Sequence, residues 1–361
     1  MSSDNSELWL KLKTLNYVTG DSPDSLDIES PWYVRLMTGF AAWIAALFML
    51  GFLGMLFESI LDNGEAAISI GCIMMLTSYL IFKNKKNNDF INQFSLVFSF
   101  SGQILFIIGV IEIEDTFGSN TWFYIFILQA CLALFMPNYV HRVSSSFFSA
   151  IALSMAMTHN NIVFLQSAIL ISISSYIWIN EFKWFDKHST LIPISYGLTL
   201  ALIYQESTNV FFDDFNELFR NLHSIEETLL FPWAGELLIG LSLLFVVWQL
   251  LIRHNIRISN RISIASFIGA ILLILISLKA TGITVGITIL ILGYANGNRI
   301  LMALGISALL FYMSSYYYLL DNTLYEKSQL LAILGIFLLT ARWLMTYLSS
   351  TKTLKGSENE N

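Results

Sequence analysis

The chain has 361 residues, of which 55% are apolar and only 12% charged, with a formal net charge of −7. That charged share is about half the soluble norm and cannot cover a water-facing surface, while the acidic balance excludes a nucleic-acid binder, which needs a basic face. The two cysteines, Cys72 and Cys131, lie in separate apolar runs without CxxC spacing, which argues against a disulfide framework and a cysteine-based metal site.

In chain order, residues 1–31 are polar and mildly acidic and lack the basic start and short apolar core of a signal peptide. They hold a short amphipathic stretch, Glu7 to Leu15, then a loop with Asp21, Pro23, Asp24, Asp27 and Glu29. From 32 to 348 the sequence predicts a polytopic membrane domain. Its apolar runs are at 36–57, 66–82, 91–111, 121–137, 143–158, 161–180, 189–205, 232–252, 262–278, 280–295, 299–319 and 328–348, each long enough, or nearly so, to cross a bilayer. Residues 349–361 form a polar tail. The predicted fold is therefore an all-α integral membrane protein, a bundle of about twelve (ten to twelve) transmembrane helices.

Orientation follows from the basic residues. Sixteen of the nineteen Lys and Arg fall in alternate gaps, leaving only Arg220, Lys279 and Lys327 in the others. Basic residues are retained on the cytoplasmic side, so both termini, with the 1–31 segment and the 349–361 tail, are expected there. The pairs 143–158/161–180 and 262–278/280–295 are split by only a few residues. Removing one span would put later basic gaps outside, whereas removing a pair would not, so ten spans is the alternative. In the long outer gap, Phe211, Phe215, Leu218, Leu222, Ile225 and Leu229 recur every three or four residues. That spacing predicts an amphipathic helix near 209–230, lying along the outer membrane surface.

Ionisable or amide groups within spans are the functional suspects, because desolvating them is costly. Arg342 can snorkel to the inner headgroups beside Trp343, so anchoring is favoured over substrate binding. Glu236 follows Pro232 and Trp233 at a span start, where an acid suits the positive end of the helix dipole. Gln103, Gln129 and Gln166 fall near the middle of their runs; interhelical hydrogen bonding is favoured over a polar path. Gly282 with Gly286 and Gly293 with Gly297 have the spacing that lets helices approach closely. Catalytic constellations are missing. The five histidines are scattered without HxxxH or HExxH spacing, and there is neither a GxSxG elbow nor a phosphate-binding glycine loop. No enzyme activity, cofactor or metal is expected.

Two stretches carry a resemblance. Pro31-Trp32-Tyr33-Val34-Arg35-Leu36 leads into Gly39-Phe40-Ala41-Ala42-Trp43, and Gly297-Asn298-Arg299 opens a run closing in Tyr316-Tyr317-Tyr318, followed by Glu326-Lys327-Ser328, Gly335 and Ala341-Arg342-Trp343-Leu344. They resemble a family of uncharacterised bacterial multi-spanning membrane proteins, classed as a domain of unknown function and often found beside short membrane proteins with a GDYxxLxY motif. The resemblance implies the bacterial inner membrane and such a partner besides the lipid bilayer, and supplies no activity. The expected function is a non-enzymatic inner-membrane protein working with another membrane or envelope protein. The alternative is a transporter or flippase for a small or lipid-like solute.

Overall fold

A computed structural model describes residues 63–84, 89–160, 162–211, 234–257, 260–278 and 281–319, together with short or isolated positions nearer both ends. The expected spans 36–57 and 328–348, the 209–230 surface helix beyond Phe211, the 349–361 tail and Arg342 lie outside the described residues, as does nearly all of 1–31.

The described residues are helical, with no strand among them. The helices are α1 (Gly64–Lys83), α2 (Asp89–Glu114), α3 (Ser119–Phe135), α4 (Tyr139–His159), α5 (Gln166–Ile179), α6 (His188–Phe211), α7 (Ala234–Arg253), α8 (Arg261–Ser277), α9 (Ile283–Ala295) and α10 (Arg299–Leu319). Short 3-10 segments, Val163–Leu165 and Glu181–Lys187, flank α5. Helices α1, α2 (from Phe90) and α7 are long and apolar enough to cross a membrane, and several others are shorter apolar helices. Both doubtful pairs are separate helices: α4 ends at His159 before α5, and α8 ends at Ser277 before α9.

The chain divides into two compact units, residues 1–116 and 117–361. In the first, α1 and α2 form an antiparallel hairpin held by small residues in a seven-residue register. A Cβ on Gly71 would stand 2.6 Å from the Gly102 carbonyl oxygen, and one on Gly64 would stand 2.7 Å from that of Gly109. One heptad further on, the Ser78 hydroxyl donates to the Ser95 carbonyl at 2.9 Å, and Ser95 returns a bond to Ser78. Gly64, Gly71 and Ser78 thus face Gly109, Gly102 and Ser95. A contact that repeats every seven residues keeps two helices together when they coil slightly around each other, and glycine lets the backbones meet. Large apolar side chains such as Ile73, Leu76, Leu80 and Ile104 point outward, while Ser78, Ser95, Ser99 and Ser101 are buried. Oily outside and small or hydroxylated inside is the arrangement of helices that pack in lipid, where close fit and hydrogen bonds replace the hydrophobic drive.

The second unit centres on Trp178, Leu202, Val246, Val285, Ile289 and Leu301, drawn from α5, α6, α7, α9 and α10. The α9–α10 hairpin repeats the small-residue device. Gly286 faces Leu309, Gly293 faces Met302, and Gly305 faces Leu290, each without room for a Cβ. Gly282, Gly286 and Gly293 therefore serve close packing, Gly282 against the Tyr312 ring 2.9 Å from where its Cβ would be, whereas Gly297 faces open space and departs from the expected GxxxG pairs. Gly282 and Gly297 both adopt left-handed backbone (φ 85° and 64°), Gly282 at the start of α9 and Gly297 in the turn before α10. That conformation is costly for any residue with a Cβ.

Candidate functional site

The polar groups of the 117–361 unit collect at two ends. At the end where α6 begins, charges of both signs meet backbone and amide groups. Pro193 lies inside α6 and has no N–H to offer the Ser189 carbonyl one turn before it. Arg142 of α4 supplies the missing donor, its guanidinium reaching Ser189 O at 2.8 Å. Arg253, in the last turn of α7, donates to Asn296 Oδ1 at 3.0 Å and lies over the Phe182 ring, 5.0 Å from its centre. Asn296 in turn donates to the Trp178 carbonyl, in the last turn of α5, at 2.8 Å. His188 pairs with Glu181 at 3.4 Å. Burial pushes the Glu181 carboxyl above the ordinary carboxylate range, opposed by His188 and Arg253.

Asn298 completes this end. Its Oδ1 accepts from the backbone N–H groups of Ile300 and Leu301, both at 3.1 Å, which caps α10. It also exchanges hydrogen bonds with the Tyr196 hydroxyl of α6, at 2.9 and 2.7 Å. Gly297-Asn298 is thus one device: a left-handed turn, then a cap that ties α10 to α6.

The opposite end is acidic. The buried positions Ser195, Thr199 and Leu202 of α6 repeat at four and three residues, and Glu206 extends that stripe by four more. The apolar run ending at 205 left Glu206 in the outer gap. The helix instead continues to Phe211, and Glu206 is buried to 1% of its surface. The Ser167 hydroxyl donates to it, but Oε1 has no hydrogen-bond partner. Glu236, in the first turn of α7 as expected, is near enough for its charge to act on Glu206. Its Oε2 accepts from Ser277 of α8 at 2.9 Å. Among the described residues no basic side chain forms an ion pair with either glutamate. Tyr312 of α10 stands near Glu206 and donates to the Ile203 carbonyl at 3.1 Å.

The glutamines have separate places. Gln103 is buried in α2 of the first unit, and Gln129 in α3 of the second. Gln166 is not mid-span, because the 3-10 turn Val163–Leu165 takes up the start of its run and α5 begins at Gln166 itself. There it donates to Ser154 O at 2.8 Å and Thr158 Oγ1 at 2.7 Å, and accepts from Gln205 of α6 at 2.9 Å. It is a clamp across α4, α5 and α6, one residue from the contacts of Glu206.

A family model described as "Domain of unknown function (DUF4401)" matches residues 31–348. The chain belongs to this family. No curated protein and no solved structure matches it. The DUF4401 stretch contains both polar ends, including Glu206, Glu236 and the Gly297-Asn298 turn. Among the described residues no third His, Cys, Asp or Glu joins the acidic pair to make a metal cluster. Two carboxyls and two serine hydroxyls can hold and release a small positive charge.

Proposed function

We propose that this DUF4401 protein is a non-enzymatic, multi-pass protein of the bacterial inner membrane, with both termini cytoplasmic, that moves a small or lipid-like solute. In this reading Glu206 and Glu236 bind the ion that drives the step. The observation that carries it is the burial of Glu206 beside a second acid, with no cation paired to either among the described residues. Burying a charge costs several kcal/mol, and a fold that gains nothing from it would place an apolar or amide side chain there. The alternation of basic gaps supports about twelve spans and the orientation. The family resemblance supports a short GDYxxLxY-type membrane protein as a companion.

The test is uptake by proteoliposomes. Vesicles carrying the purified protein are given a pooled set of amino acids, sugars, organic acids and labelled phospholipids under an imposed ion gradient. Entrapped solutes are read by mass spectrometry and labelled lipid by its accessibility to a membrane-impermeant quencher. At least one class is expected to move faster than in protein-free vesicles. No acceleration for any class under any gradient would end the transport reading. Reporter fusions after Lys86 and Arg257 should behave as cytoplasmic, and one near Glu217 as external.

A further inference from the structure

We infer that Glu206 and Glu236 together hold one proton at neutral pH, and that the site binds a proton and not a metal cation. This rests on the transport reading only for its consequence, that the driving ion is H+; the protonation itself stands on the burial of Glu206, its unpartnered Oε1, the Ser277–Glu236 bond and the close approach of Gly235, next to Glu236, to Phe164, near Ser167.

A carboxylate has about four acceptor sites, and ionised carboxylates inside proteins are commonly met by several donors. Here Glu206 receives one bond, from Ser167, and Glu236 receives one from Ser277. The Glu206 Oε1 atom is sealed from solvent and has no donor. Two ionised acids so placed would put two like charges beside each other with only two hydroxyls to meet them. One proton removes the repulsion, because like-charged carboxyls sharing a site do not both ionise.

Among the described residues, the surrounding elements offer no competing cation. Helix α10 contributes Tyr312 and α7 contributes Glu236. His159 is exposed at the end of α4. His141 and Arg142 lie at the start of α4, and Glu181, Lys183 and Lys187 lie next to the start of α6, so these groups belong to the other end. A sodium-sized ion takes about six oxygen ligands when it follows the pattern of other hard cations. The pair supplies carboxyl oxygens from two residues, and among the described residues no third acid joins them.

Infrared difference spectroscopy on the full chain in lipid tests this without any transport. At neutral pH the protein should show the carbonyl stretch of a protonated carboxyl, with an amplitude of one group per molecule. Either E206Q or E236Q should shift or remove that band, the double variant should lack it, and saturating Na+ or K+ should leave it in place. Absence of the band at neutral pH, its survival in the double variant, or its loss on adding Na+ would each overturn the inference. Circular dichroism confirms that the variants are folded; if E206Q does not fold, E236Q and the salt titration alone decide. Vesicles that transport nothing while the band behaves as expected would refute the transport reading and leave the proton site intact.

Discussion

The two ends of the 117–361 unit are both polar, yet they solve opposite problems. Where α6 begins, Arg142, Arg253 and His188 meet Glu181, two asparagines and helix-end carbonyls, so each charge has a stated structural task. Towards the end of α6, two acids, Glu206 and Glu236, are met by two serines. Removing a partner at the first end leaves an orphan; removing an acid at the second relieves a strain. Stability and function should therefore separate between the ends.

The largest effect on stability belongs to Asn298. N298A removes a helix cap and the link to Tyr196, and should cost about 2–3 kcal/mol in thermal or denaturant unfolding, the sum of a cap and a buried hydrogen bond. N298D keeps the capping oxygen and should lose less. Equal losses would mean that the cap is not what Asn298 supplies. Next comes Arg142. R142A leaves the Ser189 carbonyl without its donor, worth about 1–2 kcal/mol. Adding P193A restores a backbone N–H to the same carbonyl, so the double variant should recover much of the loss. If P193A rescues nothing, the pairing of Arg142 with a proline-orphaned carbonyl is wrong.

The smallest effect is at Glu181. Its carboxyl is held above the ordinary range by burial, so the folded chain binds a proton more readily than the unfolded one. The stability this contributes is fully present below the ordinary carboxylate pKa and is lost as pH rises through the higher folded value. E181Q should thus stay within about 1 kcal/mol of wild type at neutral pH, the His188 partner being half exposed and screened, and should flatten the fall in stability across that window. A large loss in E181Q would show that the acidic charge is needed and that the two ends are less different than proposed.

Much of this was legible in the sequence. Ten of the expected runs correspond to described helices, because a long apolar run bounded by polar gaps reports directly on an apolar helix. Glu236 was singled out for its place at a helix start, and that placement holds. Glu206 escaped because a hydropathy boundary stops at the first polar cluster, Gln205-Glu206-Ser207, whereas the backbone continues to Phe211. The signal that could have found it is the spacing Ser195, Thr199, Glu206, polar positions four and seven residues apart on one face of an apolar helix. The α1–α2 seam also escaped, since its glycines and serines repeat every seven residues and not every four. Gln166 was misplaced because a short 3-10 turn consumed part of its apolar run, a break that composition does not register.

The most direct measurement is solute uptake per folded molecule in E206Q vesicles, compared with wild type and with R253A. E206Q should be as stable as wild type or more so, since it removes a buried uncompensated acid, and its uptake should fall to the level of protein-free vesicles. R253A should instead lose stability while its folded fraction still transports. Wild-type uptake in folded E206Q would contradict the account, because Glu206 would then be a tolerated buried acid and not the seat of function.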